Sequence, residues 1–292
     1  MKRLRRAVSL LLILLLSSGA AGAETEKLDV TVTQPWLALI VSFIGGANVT
    51  VASLQDWNSE GDLVRAGRGR KLTAAPPQED ARIMALDPED ARRAGLKMGV
   101  GEQKGLRFLY DPFPIRADNI DASLSDPSVL PFVAQRALTV LSGWDPANYP
   151  YYQRRLAEFQ ARLSSSVLAG RQVLRDVPVC DLSGASGALL QAAGCKIRRP
   201  DPQHLTAWGK GGTAGLREYL EARRAEGVMV VMDGGTPKAL RRHLSGRPGV
   251  FRFERPRPDQ DYPAFLHDQY ISLWQTLTAK PLPPKESPGK RR

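Results

Sequence analysis

Apolar residues recur at helical spacing in one long segment near the middle of the chain. These positions lie three or four residues apart: Tyr149, Tyr152, Leu156, Phe159, Leu163 and Val167. This spacing predicts an amphipathic helix with one buried face. Asp145 and Pro146 suit its start, because Asp caps free N–H groups and Pro has no N–H to lose. A two-lobed protein with a connecting helix, here residues 144–174, is one architecture that needs such an element.

Strands alternate with helices on both sides of this segment. Before it, strands at 28–33 and 49–54 flank a helix at 35–44. After it come strands and helices in turn, at 177–180, 184–193, 196–198, 213–225, 228–232, 237–244, 250–253 and 262–277. Alternation of this kind requires parallel sheets with right-handed crossovers. The pattern predicts an α/β protein of two lobes, 24–143 and 175–278, whose parallel sheets are flanked by helices.

The first 23 residues have the form of a secretory signal peptide. Its basic residues come first, namely Lys2, Arg3, Arg5 and Arg6. An apolar run from Val8 to Leu16 follows, and Ala21 to Ala23 offers a cleavage site of small residues. The apolar run is too short for a permanent membrane span, and no cysteine follows it for a lipid anchor. We predict a soluble mature protein that begins at Glu24 and is periplasmic or secreted.

The net charge of +11 does not indicate a nucleic-acid surface. Part of it lies in the signal peptide, and five more basic residues lie in the tail 279–292 against Glu286 alone. The remaining basic residues are neither massed on one element nor interleaved with stacking aromatics, which argues against a nucleic-acid partner. We expect the Pro-rich tail to be disordered.

Four collinear segments resemble the zinc and manganese solute-binding proteins of bacterial ABC transporters. Leu28 to Leu54 is similar to the family's opening strand–helix–strand, and Asp111-Pro112 resembles its DPH motif. Residues 145–152 resemble the start of its connecting helix, and 262–274 its closing helix. The resemblance implies a binding protein, not an enzyme, that captures a ligand between its lobes and docks on a membrane permease. It also implies that the transported ligand is a divalent metal ion or a metal chelate.

The resemblance places the ligand cleft at four positions, two of which no longer carry a metal ligand. Asp62 stands at the first histidine position, and Phe113 at the histidine of the DPH motif. Ser183 falls at the third position, and Glu254 near the last carboxylate. A phenyl ring cannot coordinate a metal, and a serine hydroxyl is a poor ligand for zinc or manganese. We predict an altered and weakened metal site to which Asp62 and Glu254 contribute.

Two other functions remain open. A chain that kept the fold and lost the metal would be a non-transport interaction protein of the envelope. A basic loop after the first ligand position would oppose a metal and favour an anion or a chelate at Arg65, Arg68 and Arg70. A solvated basic loop is the simpler interpretation of these arginines.

The remaining motifs do not indicate catalysis. Gly184-Ala-Ser-Gly187 lacks the last glycine of a nucleophile elbow, so we interpret it as a helix start. The three histidines are not spaced with another metal ligand. Cys180 and Cys195 are expected toward opposite ends of the C-terminal sheet, which favours free thiols because a disulfide needs Cα atoms within about 7 Å.

Overall fold

The computed structural model describes residues 27–66, 81–96, 104–114 and 120–279. The predicted signal peptide, Arg68, Arg70 and the basic tail from residue 280 lie outside these ranges. Over the described ranges, no helix is both long enough and apolar enough to cross a membrane.

A four-stranded parallel sheet forms the centre of the N-terminal lobe, in the strand order β2-β1-β5-β6. The strands of the lobe, including a separate hairpin of β3 and β4, are β1 (Leu28–Val32), β2 (Val49–Ser53), β3 (Gln55–Trp57), β4 (Leu63–Arg65), β5 (Ile83–Ala85) and β6 (Leu106–Phe108). Its helices are α1 (Pro35–Gly45), α2 (Pro88–Arg93), α3 (Ile120–Ser125) and α4 (Leu130–Trp144). Helix α1 is buried along almost its whole length because it is apolar on every face.

The predicted connecting helix is present as α5 (Tyr149–Leu174), behind a short 3-10 turn at 146–148. Four of the six predicted positions are buried, namely Tyr152, Leu156, Phe159 and Leu163. The prediction is wrong for Tyr149, which is 42 % exposed at the first turn of the helix, and Val167 is half-buried. The predicted cap is wrong, because Asn148 and not Asp145 precedes the first α-helical residue. The Asp145 carboxylate instead accepts hydrogen bonds from the Asn148 amide and the Tyr152 hydroxyl, each at 2.7 Å.

The C-terminal lobe repeats the parallel arrangement, in the strand order β10-β9-β7-β8. Its strands are β7 (Pro178–Asp181), β8 (Lys196–Arg198), β9 (Met229–Met232) and β10 (Val250–Arg252). Its helices are α6 (Gly187–Ala192), α7 (Pro202–Gly209), α8 (Leu216–Ala225), α9 (Lys238–Leu244) and α10 (Tyr262–Thr278). Every strand and helix predicted here is confirmed, with ends shifted by up to three residues, whereas α7 is an addition. Cys180 and Cys195 are free thiols, as expected, and burial raises the pKa of Cys195 to about 11.

Helix α5 packs against both lobes. The Arg155 guanidinium donates to the Phe43 carbonyl of α1 at 3.0 Å, and the Ser166 hydroxyl donates to the Pro263 carbonyl of α10 at 2.8 Å. At Gly170 the helix lies flat on the Tyr270 ring, where an added Cβ would come within 2.7 Å of the ring. This close packing explains why glycine is required in the middle of a helix, where it otherwise costs stability.

Truncation of the buried face of α5 should therefore destabilise the whole protein. Leu156→Ala is expected to lower the free energy of unfolding by about 2–5 kcal/mol, the usual cost of a Leu→Ala deletion in a core. Chemical denaturation followed by circular dichroism measures this loss. Leu168→Ala on the same helix is the matched control, because Leu168 is 58 % exposed whereas Leu156 is 7 % exposed. Equal losses for the two variants would contradict a buried α5.

Candidate functional site

The carboxyl ends of both parallel sheets carry polar residues, and this is the edge at which α/β proteins bind ligands. In the N-terminal lobe, Thr33 follows β1 and Asp87 follows β5. In the C-terminal lobe, Ser183, Asp233 and Glu254 follow β7, β9 and β10. The candidate site is therefore the cleft between the two lobes.

On the N-terminal side, the carboxylates bind the protein's own groups. Asp90 is buried and accepts hydrogen bonds from the Thr33 hydroxyl and, at 2.9 Å, from the Leu86 N–H. Burial raises the pKa of Asp90, although both hydrogen bonds oppose the rise. Asp87 accepts from the Phe113 N–H at 3.1 Å, and the Phe113 ring packs edge-on against Tyr110 at 4.9 Å. Phe113 is thus a buried apolar wall.

On the C-terminal side, two buried carboxylates organise the loop after β7. Asp233 accepts from the N–H groups of Gly184, Ala185 and Ser186 at 2.8–2.9 Å and from the Ser186 hydroxyl at 2.8 Å. Burial pushes the pKa of Asp233 upward, but these donors outweigh it and hold the pKa below its usual value. The Ser183 hydroxyl donates to Asp181 at 2.5 Å. The Gly184–Gly187 stretch is therefore a loop whose N–H groups are hydrogen-bonded to Asp233. Helix α6 begins at the last residue of this stretch, which confirms it as a helix start.

Arg241 of the C-terminal lobe binds the tip of the β3–β4 hairpin of the N-terminal lobe. The Arg241 guanidinium, on α9, donates to the Asp62 carboxylate at 2.7 Å and to the Glu60 carbonyl at 2.7 Å. It also donates to the Gly234 carbonyl of its own lobe. Burial pushes the pKa of Asp62 upward, but the Arg241 hydrogen bond and charge outweigh it and lower the pKa. Asp62 is thus neutralised by a guanidinium.

A second arginine, Arg255, follows β10 in the chain and contacts the N-terminal lobe. Its guanidinium donates to the Asp121 carboxylate at 2.6 Å and to the Gly61 carbonyl at 3.3 Å. It also lies 5.6 Å from the ring centroids of Trp36 and Trp57, within the range of cation–π attraction. Sequence reasoning missed Arg241, Arg255 and Asp121, since no motif or spacing distinguishes them.

The lobes also touch through their backbones beside these arginines. A Cβ added to Gly61 would lie 2.9 Å from the Gly234 Cα, and Gly61 has a φ of +87° that favours glycine. A cavity of about 20 Å³ remains between the lobes, lined in part by Trp36, Glu254 and Arg255. Such a volume has room for about one water molecule. The cleft is therefore closed by groups of the protein itself.

The four predicted ligand positions have different surroundings. Asp62 is ion-paired, Phe113 is buried, and Ser183 is bonded to Asp181. Glu254 lines the small cavity and is exposed, while Arg65 on β4 points to solvent. Within the described ranges, no group of three or more His, Cys, Asp or Glu residues is placed to hold a metal ion. The assignment of these positions to a ligand stays a prediction.

Comparisons with known proteins identify the fold. No protein-family model and no curated protein matches the sequence. Similar solved structures do exist: ZnuA, at 14 % identity and a TM-score of 0.58, is matched over 87 % of this chain and 100 % of its own. This chain has the fold of the metal-type solute-binding proteins.

Two further structures with the solute-binding fold carry informative descriptions. Lmb of Streptococcus agalactiae, a bifunctional protein with adhesin and metal transporting activity, has 14 % identity and a TM-score of 0.59, with 86 % of this chain and 100 % of Lmb covered. The solute-binding protein FpvC from Pseudomonas aeruginosa, in complex with Mn²⁺, has 15 % identity and a TM-score of 0.54, with 86 % and 97 % covered. The predicted two-lobed α/β fold with a connecting helix is thus confirmed.

The ion pair between the lobes predicts a pH dependence of stability. Because the folded pKa of Asp62 is lowered, its contribution is present above the ordinary carboxyl pKa of about 4 and is lost as the pH falls through the folded value. Asp62→Asn should therefore lower the melting temperature near neutral pH and make no difference in strong acid. Thermal unfolding across this pH range tests the expectation.

The control for this series is Asp259→Asn. The Asp259 carboxylate is 87 % exposed and lies 3.8 Å from Arg257, so its loss should change little at any pH, as for most exposed ion pairs. A melting temperature of Asp62→Asn equal to that of the unmodified protein near neutral pH would show that the Asp62–Arg241 contact adds nothing to stability.

Proposed function

We propose that this chain is an exported solute-binding protein of an ABC transporter whose cleft does not capture a bare divalent cation. The observation that carries the proposal is the ion pair of 2.7 Å between Arg241 and Asp62. Asp62 is one of only two metal-ligating residues at the four predicted positions. A divalent cation at this carboxylate would meet the positive guanidinium and would have to displace it.

The transport role is supported by the fold and by its relatives. Lmb is described as metal transporting, and FpvC as a solute-binding protein in complex with Mn²⁺. In our proposal the signal peptide directs this chain to the periplasm or the exterior, where a membrane permease is its partner. The lobes 24–143 and 175–278 close on a ligand, and residues 144–174 connect them.

The proposed ligand is a metal chelate or a small organic molecule and not the free ion. A bare divalent cation loses its hydration only where several charged oxygen or nitrogen ligands replace it. Phe113 supplies an apolar wall instead, and the Ser183 hydroxyl already donates to Asp181. A metal chelate keeps the ligands of its own coordination sphere, and a small organic molecule needs none, so either requires fewer charged groups from the protein.

A second candidate function is an interaction protein of the envelope that kept the fold and does not transport. The direct contact of the two lobes at Gly61 and Gly234 favours it, because the cleft is closed by protein groups. In this case the outer surface and not the cleft would carry the function.

The first test is calorimetric titration of the mature chain with zinc and with manganese. We expect no sub-micromolar affinity for either ion, because Asp62 is engaged by Arg241 and two of the predicted positions carry no ligand group. Sub-micromolar binding of either metal would refute the proposal.

A companion variant tests the assignment of the positions. Phe113→His combined with Ser183→His should raise the affinity for zinc, since imidazole is a zinc ligand. Phe132→His combined with Ser165→His adds the same two imidazoles at exposed helical positions and is the matched control. If the two double variants bind zinc equally, the positions are misassigned.

A thermal-shift screen separates the two candidate functions. Chelated metals and small organic molecules are tested, and a true ligand at 100 times its dissociation constant should add about 2.7 kcal/mol of stability. A stabilising ligand supports the receptor. The result favours the interaction protein over the receptor if none of these compounds shifts the melting temperature and a pull-down retrieves an envelope protein other than a permease.

A further inference from the structure

The N-terminal lobe contains a complete binding seat for one guanidinium group. We call it the Trp36–Trp57 cage; it consists of Trp36, Trp57, Asp121 and the Gly61 carbonyl. All four belong to the N-terminal lobe, whereas its occupant, Arg255, belongs to the C-terminal lobe. Arg255 of the C-terminal lobe is therefore bound by the N-terminal lobe in the way that a separate guanidinium ligand would be.

The cage matches each property of a guanidinium. The negative Asp121 carboxylate accepts from the guanidinium of Arg255 at 2.6 Å, and the Gly61 carbonyl accepts from its Nε at 3.3 Å. The two indole rings, 5.0 Å apart and nearly perpendicular, offer apolar surface to its flat face. An ammonium shares the charge and the cation–π attraction, but only the planar guanidinium can also stack on a ring while it donates from a fixed fork of N–H groups.

One side of the cage is oriented by contacts that do not involve Arg255. The second oxygen of Asp121 accepts from the Trp36 indole N–H at 2.9 Å, which orients the carboxylate, and Trp36 itself is buried in α1. Trp57 contributes its ring, which lies 5.6 Å from the Arg255 guanidinium. Because the Asp121 carboxylate is already oriented, less entropy is lost when a ligand binds to it.

The cage lies at the cleft between the lobes, where proteins of this architecture bind ligands. The lobes are in contact beside the cage at Gly61 and Gly234, and also at Tyr262, whose hydroxyl donates to the Leu124 carbonyl. Separation of the lobes would withdraw Arg255 and leave the cage open to solvent. In such a form the cage would be available to a ligand.

We infer that the Trp36–Trp57 cage is a ligand site for a small organic cation with a guanidinium head, and that Arg255 is its internal competitor. This inference rests on the proposed function and names the ligand class of the same cleft. A tethered competitor acts at high effective concentration, so the unmodified protein should bind such ligands more weakly than a variant that lacks Arg255.

The test is to empty the cage with Arg255→Ala and to titrate the full mature chain with methylguanidinium chloride, following tryptophan fluorescence. We expect a saturable change with a dissociation constant on the order of 1 mM, as suits a ligand of five heavy atoms. Methylurea, which has nearly the same shape and no charge, should give no saturable change. If Arg255→Ala does not fold, Arg255→Gln replaces it.

Two further controls make the result specific. Arg257→Ala, at an exposed arginine two residues away, should behave like the unmodified protein and bind at least about 10-fold more weakly than Arg255→Ala. Asp121→Asn added to Arg255→Ala should weaken binding by about 10-fold, because a charge-assisted hydrogen bond is lost. The inference is overturned if Arg255→Ala shows no saturable binding of methylguanidinium, or if methylurea binds equally well.

Failure of this inference is distinguishable from failure of the proposed function. Tight zinc or manganese binding by the unmodified protein would refute the proposed function, whatever methylguanidinium does. An Arg255→Ala variant without guanidinium binding would refute the cage and leave the metal result unchanged.

Discussion

Two guanidinium groups of the C-terminal lobe donate to acceptors of the N-terminal lobe and place two positive charges in the cleft between them. Burying an arginine is costly unless its donors are satisfied, and each of these has more than one acceptor. Arg241 bonds Asp62 and two carbonyls, and Arg255 bonds Asp121 and a carbonyl between two indole rings. Other contacts also join the lobes: the Ser125 hydroxyl donates to the Ala185 carbonyl at 2.8 Å, and the centroids of the Trp36 and Tyr262 rings are 5.5 Å apart.

The positive charges of Arg241 and Arg255 can be compared with that of a metal ion bound in a cleft between two lobes. A cation in a cleft of this kind neutralises carboxylates contributed around it. Here the positive charge is supplied by side chains that are attached to the chain and cannot leave as a free ion. In our proposal, a cleft with this chemistry discriminates against bare metal ions by repulsion, and it suits ligands that offer a planar cation or their own coordination sphere.

Strong local patterns allowed many of the elements to be predicted, but not all: α4 has buried residues at helical spacing over 15 residues and was missed. The apolar spacing along α5 and the alternation of strands with helices after residue 175 gave nearly correct bounds. Strands β5 and β6, of three residues each, were also missed, although β8 of the same length was predicted between two other elements of the C-terminal lobe. The Asp145 cap was wrong because a turn at 146–148 delays the α-helix, and the carboxylate bonds to Tyr152 instead.

The sequence by itself determined the alternation of strands with helices, the parallel sheets that it requires and the phenylalanine and serine at two of the predicted ligand positions. Only the tertiary structure decided which charges meet in the cleft. Asp62 and Arg241 are 179 residues apart, and Asp121 and Arg255 are 134 apart. Local periodicity reports which face of an element is buried, but pairs so distant leave no pattern along the chain. They become neighbours only when both sheets direct their carboxyl ends toward one cleft.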